Sequence, residues 1–218
     1  MLDFGCGTGA FSARWLEAER LSVGTLALVE PVRAHLEAAE RRLAAHVGEI
    51  LVLDPALNAL GTRRFDLIIA NHSLYYVPDL DATARGLVAA RAPGGTLVVA
   101  LLDERNLLAA LWRAGFAAMG RPFPFALAGD WEAALARLDV ASDREWVRYR
   151  IDVPDSTSAR TRMSRFLFGA EVVDAHGERL LALFDDYRAG ARIVIETAYP
   201  HLVAGVTDHR DREGTTSR

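Results

Sequence analysis

The chain has 218 residues, is 51% hydrophobic and carries a formal charge of −4, so it can bury a sizeable core and offers no basic face for nucleic acid. All 25 basic residues are Arg, which excludes Schiff-base chemistry, a phosphate-loop lysine and a lysine general base. A single cysteine, Cys6, excludes an internal disulfide and fits a cytoplasmic compartment, and the longest apolar runs, such as Thr96 to Leu102, are strand-sized and too short to span a membrane.

In chain order, Met1 to Phe4 read as a short strand entering a glycine-rich turn at Gly5-Cys6-Gly7-Thr8-Gly9, and Phe11 to Arg20 read as a helix. Thr25 to Val29 is a continuous apolar run of the kind buried on both faces of a parallel sheet, ending at Glu30. Pro31 suits a helix start, and Val32, Leu36, Leu43 and Val47 recur at helical spacing. Ile50 to Leu53 is a third strand closed by Asp54-Pro55, and Phe65 to Ala70 a fourth, followed by Asn71-His72-Ser73. Pro78-Asp79 opens a helix to about Arg91, and Pro93-Gly94-Gly95 turns into a fifth strand, Thr96 to Leu102. Five strand–helix alternations with short connections predict an α/β fold with a doubly wound, mostly parallel sheet. Beyond it, helices are expected at Asn106 to Met119, Ser156 to Phe168 and Glu178 to Arg188, strands at Glu145 to Ile151 and Arg192 to Ala198, and a Pro-rich loop at Arg121 to Asp130. One domain over 1–206 is expected, with a cofactor half (1–102), a substrate-side half (103–206) and a disordered polar tail (207–218).

The residues that carry chemistry fall at the predicted strand ends, where open α/β sheets bind ligands. Asp3, Gly5, Gly7 and Gly9 form Asp-x-Gly-x-Gly-x-Gly. Glycines let the chain turn tightly and let a ligand lie against bare backbone, and the helix start that follows presents free N–H groups. Asp3 adds a carboxylate suited to a cationic ligand end. Gly5-x-Gly7-x-x-Ala10 also satisfies the dinucleotide fingerprint, which likewise wants an acid about twenty residues on. The six histidines show no metal-ligand spacing, so no metal site is read.

Asp3 to Gly9, Glu30, the run Phe65 to Asp79 and Pro93-Gly94-Gly95 together resemble the successive motifs of class I S-adenosylmethionine (AdoMet)-dependent methyltransferases over about residues 1 to 102. That resemblance implies a Rossmann-like methyltransferase fold, S-adenosyl-L-methionine as cofactor and methyl transfer to an N, O or C nucleophile of a small molecule. It implies a cofactor site made by Asp3, Gly5, Cys6, Gly7, Gly9, Glu30, Pro31, Asp54, Pro55 and Asn71, with Glu30 on the ribose hydroxyls and Asp54 on the adenine amino group. Pro55 departs from the pattern, since it has no N–H for the adenine ring, so that contact is expected either to shift to Ala56 or to be weaker. His72 stands where a base for the acceptor's proton would stand, and Tyr75 and Tyr76 where an acceptor pocket would be lined; packing roles are the plainer alternatives. Substrate choice is expected from residues 103 to 200, including Phe123-Pro124-Phe125 and Arg160 to Arg165. Only Met1 to Phe4 precede the first glycine, so either a truncated chain or a pocket without its usual N-terminal cover is expected. A nicotinamide-dependent oxidoreductase and a non-catalytic protein of the same fold are the other readings; the missing lysine removes the Tyr-x-x-x-Lys pair of short-chain dehydrogenases.

Overall fold

The computed structural model describes residues 1–55 and 60–205; Ala56 and the tail 207–218 lie outside them. The elements in order are β1 (Leu2–Phe4), α1 (Ala10–Ala18), β2 (Val23–Val29), α2 (Arg33–Leu43), β3 (Val47–Leu53), β4 (Phe65–Asn71), a 3-10 turn (Leu74–Tyr76), α3 (Leu80–Ala90) and β5 (Arg91–Ala100). Then come α4 (Leu107–Ala118), α5 (Ala128–Ala136), β6 (Asp143–Pro154), α6 (Thr157–Phe168), α7 (Ala170–Ala182), a 3-10 turn (Asp185–Tyr187), β7 (Arg188–Ala189) and β8 (Arg192–Ala204).

The chain forms two compact units. The first comprises Met1–Leu101, Asp130–Glu145 and the chain from His201. Its sheet runs β3-β2-β1-β4-β5 with every neighbour parallel. The last residues of β8 then join β5 antiparallel, Ala100 opposite His201 and Leu97 opposite Ala204. The chain leaves β1 toward β2 and β3, then returns to β4 on the other side, so the point where winding reverses lies between β1 and β4. This is the expected doubly wound, mostly parallel Rossmann-like fold. Leu26, Leu28, Ala13, Leu16, Ala39 and Leu43 pack α1 and α2 onto one face of the sheet.

The second unit comprises Leu102–Gly129 and Trp146–Pro200 and holds the expected helical additions. Trp112 stacks on Phe125 at 4.5 Å between ring centres, and Phe116 meets Phe123, Phe125 and Phe168. The aromatic loop packs its two phenylalanines on Trp112 and Phe116. Arg160 is only 12% exposed and pairs with Asp155 and Asp185, and Arg165 pairs with Asp174, so these arginines are answered by the protein's own carboxylates.

Several boundaries differ from expectation for local reasons. Val47 opens β3, paired with Val23, instead of closing the preceding helix. Pro31 lies before α2, whose N-cap is Val32. Pro93-Gly94-Gly95 is inside β5: the strand pairs Arg91 with Phe65, and the register shifts before Leu67 pairs with Thr96. Gly94 has φ +75° and a Cβ on Gly95 would stand 2.8 Å from the Phe65 carbonyl, so the glycines form a bulge, not a turn. α5 falls partly in the expected Pro-rich loop, anchored by buried Trp131, Ala134 and Leu135. The helix expected at Glu178 to Arg188 starts at Ala170, is kinked at His176, and ends at Ala182.

Candidate active site

The C-terminal ends of the strands are level: Phe4 lies opposite Val29, and Val29 opposite Leu53. The backbone N–H groups of Gly5 and Cys6 both donate to the Val29 carbonyl, at 2.7 and 3.2 Å, and Gly9 N–H donates to the Cys6 carbonyl at 2.9 Å. The loop is thus tied to the end of β2. Gly5, Gly7 and Gly9 all take left-handed conformations, at φ +75°, +54° and +69°. Their surroundings differ. A Cβ on Gly5 would run into the Ser73 side chain, and one on Gly9 would stand 2.9 Å from Leu43 and 3.0 Å from the Ala39 backbone. Nothing lies within 4 Å of the same position at Gly7. The outer glycines allow chain segments to touch, and the middle one faces open space.

Glu30, 9% exposed, follows β2. One carboxylate oxygen accepts the Gly7 N–H and the other the Val32 N–H, both at 2.9 Å. Each oxygen keeps a lone pair for a further donor. Asp3 is 3% exposed and accepts a hydrogen bond from Ser12 of α1. Burial pushes its pKa up to about 6; the Ser12 bond opposes this and the Glu30 charge adds to it. Burial, and then the charges of Asp3 and Glu30, push the Cys6 thiol up to about 12, so the expected filler role suits it.

Across the winding reversal, Ser73 donates to the Phe4 carbonyl at 2.6 Å, binding the loop after β4 to the end of β1. Asn71 closes β4 opposite Ala100. His72 takes φ +53°, unusual without glycine, and its N–H donates to the Ala100 carbonyl at 3.0 Å. Its Nδ1 lies 2.9 Å from the Tyr75 hydroxyl. Burial, with the nearby His201 second, lowers its pKa to about 4, so the imidazole is neutral at physiological pH.

Asp3, Gly5, Cys6, Gly7, Gly9, Glu30, Pro31, Asn71 and His72 therefore share one edge of the first unit. Asp54 and Pro55 are exposed at the end of β3, one strand farther out, and Ala56 is outside the described residues. The tyrosines diverge: Tyr75 is 7% exposed, whereas Tyr76 is 67% exposed. Ser73 belongs to the Asn71-His72-Ser73 run expected at the end of the fourth strand, and two further contributors were not anticipated. Ser12 reaches Asp3 from the first turn of α1, a contact that no spacing reveals. His201 reaches the site because β8 runs antiparallel beside β5. Among the described residues, no group of His, Cys, Asp or Glu could hold a metal ion, and no helix is long and apolar enough to cross a membrane.

Comparison with known proteins places this geometry. A family model described as a methyltransferase domain matches residues 2–97. The chloroplastic tocopherol O-methyltransferase of Arabidopsis thaliana is 34% identical over 113 residues, covering 50% of this chain and 32% of that protein. The trans-aconitate 2-methyltransferase of Variovorax paradoxus is 34% identical over 106 residues, covering 49% of this chain and 39% of that protein. The chain thus spans well under half the length of these curated relatives. The crystal structure of the YcgJ protein from Bacillus subtilis superposes with a TM-score of 0.64 at 12% identity, covering 93% of this chain and 89% of that one. Motifs, strand order and matches coincide on the same residues: residues 2–97 are similar to a methyltransferase domain, and the chain has the fold of the solved structure it superposes on.

Proposed function

We propose that the chain transfers a methyl group from S-adenosyl-L-methionine to an N, O or C nucleophile of a small molecule. The observation that carries this reading is the open face at Gly7 beside Glu30, whose carboxylate is held by the Gly7 and Val32 N–H groups. A carboxylate with both oxygens fixed and a lone pair left on each suits two adjacent ribose hydroxyls. Asp3, buried with a raised pKa, suits the ammonium of a methionine moiety, which would restore its charged form. Asp54 at the end of β3 is the candidate for the adenine end, and Asn71 borders the sulfonium side. When bound, AdoMet supplies a carbon already activated for displacement by positive sulfur.

The protein's work is then alignment and handling of a proton. The Ala100 carbonyl and the Tyr75 hydroxyl fix the orientation of His72. Held in this way beside Asn71, His72 is the side chain proposed to take the acceptor's proton. A base titrating near 4 is weak, so it serves acceptors that lose their proton late, as the new bond forms.

Titration calorimetry and thermal shift with AdoMet, S-adenosylhomocysteine and NADH test the reading. Binding of both adenosyl ligands with no response to NADH is expected, because a ligand that binds only the folded form raises the melting temperature. A response to NADH alone would overturn it.

A further inference from the structure

We propose that the second unit carries a binding site for an organic carboxylate, centred on Arg148. Two adjoining open clefts of about 530 and 540 Å³ share Arg148, Glu196, Thr197 and Ala198. This volume suits a small organic molecule.

The charges around these clefts are nearly all committed. Asp103, 2% exposed, takes Arg105 through its backbone N–H, Nε and Nη2, at 3.0 to 3.1 Å. Arg105 also lies 4.8 Å above the Trp146 ring. Glu196 pairs with Arg150, which is also held by Asp152. Three arginines therefore line the clefts with two carboxylates, and each carboxylate already has its arginine. Arg148 is left over: among the described residues it makes no hydrogen bond, ion pair or ring contact. It stands on β6 two residues from Trp146 and two from Arg150, on the same face of the strand.

The remaining lining defines the ligand. Thr197 accepts the Leu107 N–H at 3.1 Å and keeps its own hydroxyl proton to donate. Leu107, Ala198 and the half-exposed Trp146 supply apolar surface. A planar fork of N–H donors, one hydroxyl and an indole suit a carboxylate attached to a flat or apolar body. As a binding site this stands on the second unit alone; as the subsite for the methyl acceptor it rests on the function proposed above.

Calorimetric titration of the full chain with benzoate, and with benzamide as the uncharged counterpart, tests it. Saturable benzoate binding is expected, at least tenfold weaker in Arg148→Gln, unchanged in Arg121→Gln outside the clefts, and absent for benzamide. Arg148 is exposed, so the variant should keep its melting temperature and its response to AdoMet. Equal benzoate binding by Arg148→Gln, or none by the parent, would overturn the site. A panel of acceptors with and without a carboxylate then distinguishes two sources of the anion. An acceptor's carboxylate would show as a KM raised in Arg148→Gln at unchanged kcat. A separate effector would show as benzoate altering the rate on an uncharged acceptor. Loss of AdoMet binding in the parent would sink the methyltransferase reading while leaving the benzoate result standing.

Discussion

Glu30 has two tasks that a single variant separates. Its carboxylate braces the glycine loop through Gly7 and the start of α2 through Val32, and it is placed to receive the ribose. Glu30→Ala should weaken AdoMet binding by roughly 1.5–3 kcal/mol, the scale of hydrogen bonds to a charged group. The melting temperature without ligand should also fall. Asp54→Ala should cost less, because Asp54 is exposed and Pro55 offers no N–H beside it. Calorimetric losses in the reverse order would show the ribose and adenine ends to be misassigned. His72 is a question of rate. If its Nε2 takes the acceptor's proton, His72→Ala should lose on the order of 10²-fold in kcat with little change in AdoMet affinity. Burial moves the associated limb of the pH–rate profile toward 4, well below the neutral limb an ordinary histidine would give. An active variant with the parent's acidic limb intact would leave His72 as a packing residue, held at φ +53° for shape alone.

At the scale of elements, the glycine loop joins β1 to α1 by close approach in two places and by open space in one. Gly7→Val should abolish AdoMet binding while the chain still folds, since apart from its chain neighbours nothing lies within 4 Å of a Cβ added there. Gly9→Val should lower the melting temperature instead, because α2 presses against that position through Leu43 and the Ala39 backbone. Thermal unfolding beside AdoMet titration separates the two, and a Gly7→Val variant that binds like the parent would remove the loop from the site. The strands that form this edge were legible because Leu26 to Val29 and Ile68 to Ala70 are uninterrupted apolar runs, which only a sheet covered on both faces buries. What was illegible has physical causes. The bulge at Gly94 and Gly95 has the same residues as a turn and differs only in pairing. The helix from Ala170 escaped because the kink at His176 breaks its period. His201 could not be placed beside His72 because an antiparallel last strand brings it there from the far end of the chain.

For the whole molecule, two buried groups titrate against each other. Asp3 is raised to about 6, so its contribution to stability is fully present below the ordinary carboxylate value of 3.8 and is lost as pH rises through 6. His72 is lowered to about 4, so its contribution is present above 6.5 and is lost as pH falls through 4. Each contribution is about 3 kcal/mol. Between pH 4 and 6 the two largely cancel. Relative to the parent, Asp3→Asn should lose stability on acidification, and His72→Gln should gain it. Urea unfolding at pH 4.5 and 7 measures both, and three parallel profiles would contradict the opposition. The same Asp3 should make ammonium-bearing ligands bind more weakly below pH 6, where it is neutral before they arrive.

The thiol in the glycine loop bears on how such a pocket could survive its own reagent. Cys6 lies between two carboxylates on a surface proposed to hold an alkylating cation, and sulfur is the strongest nucleophile a protein owns. With its pKa near 12, only about one molecule in 10⁵ carries the thiolate at neutral pH. Burial first, and then the negative charges that would attract the sulfonium, therefore disarm the thiol that could intercept it. Prolonged incubation with AdoMet and no acceptor should leave the Cys6 peptide unmodified by mass spectrometry.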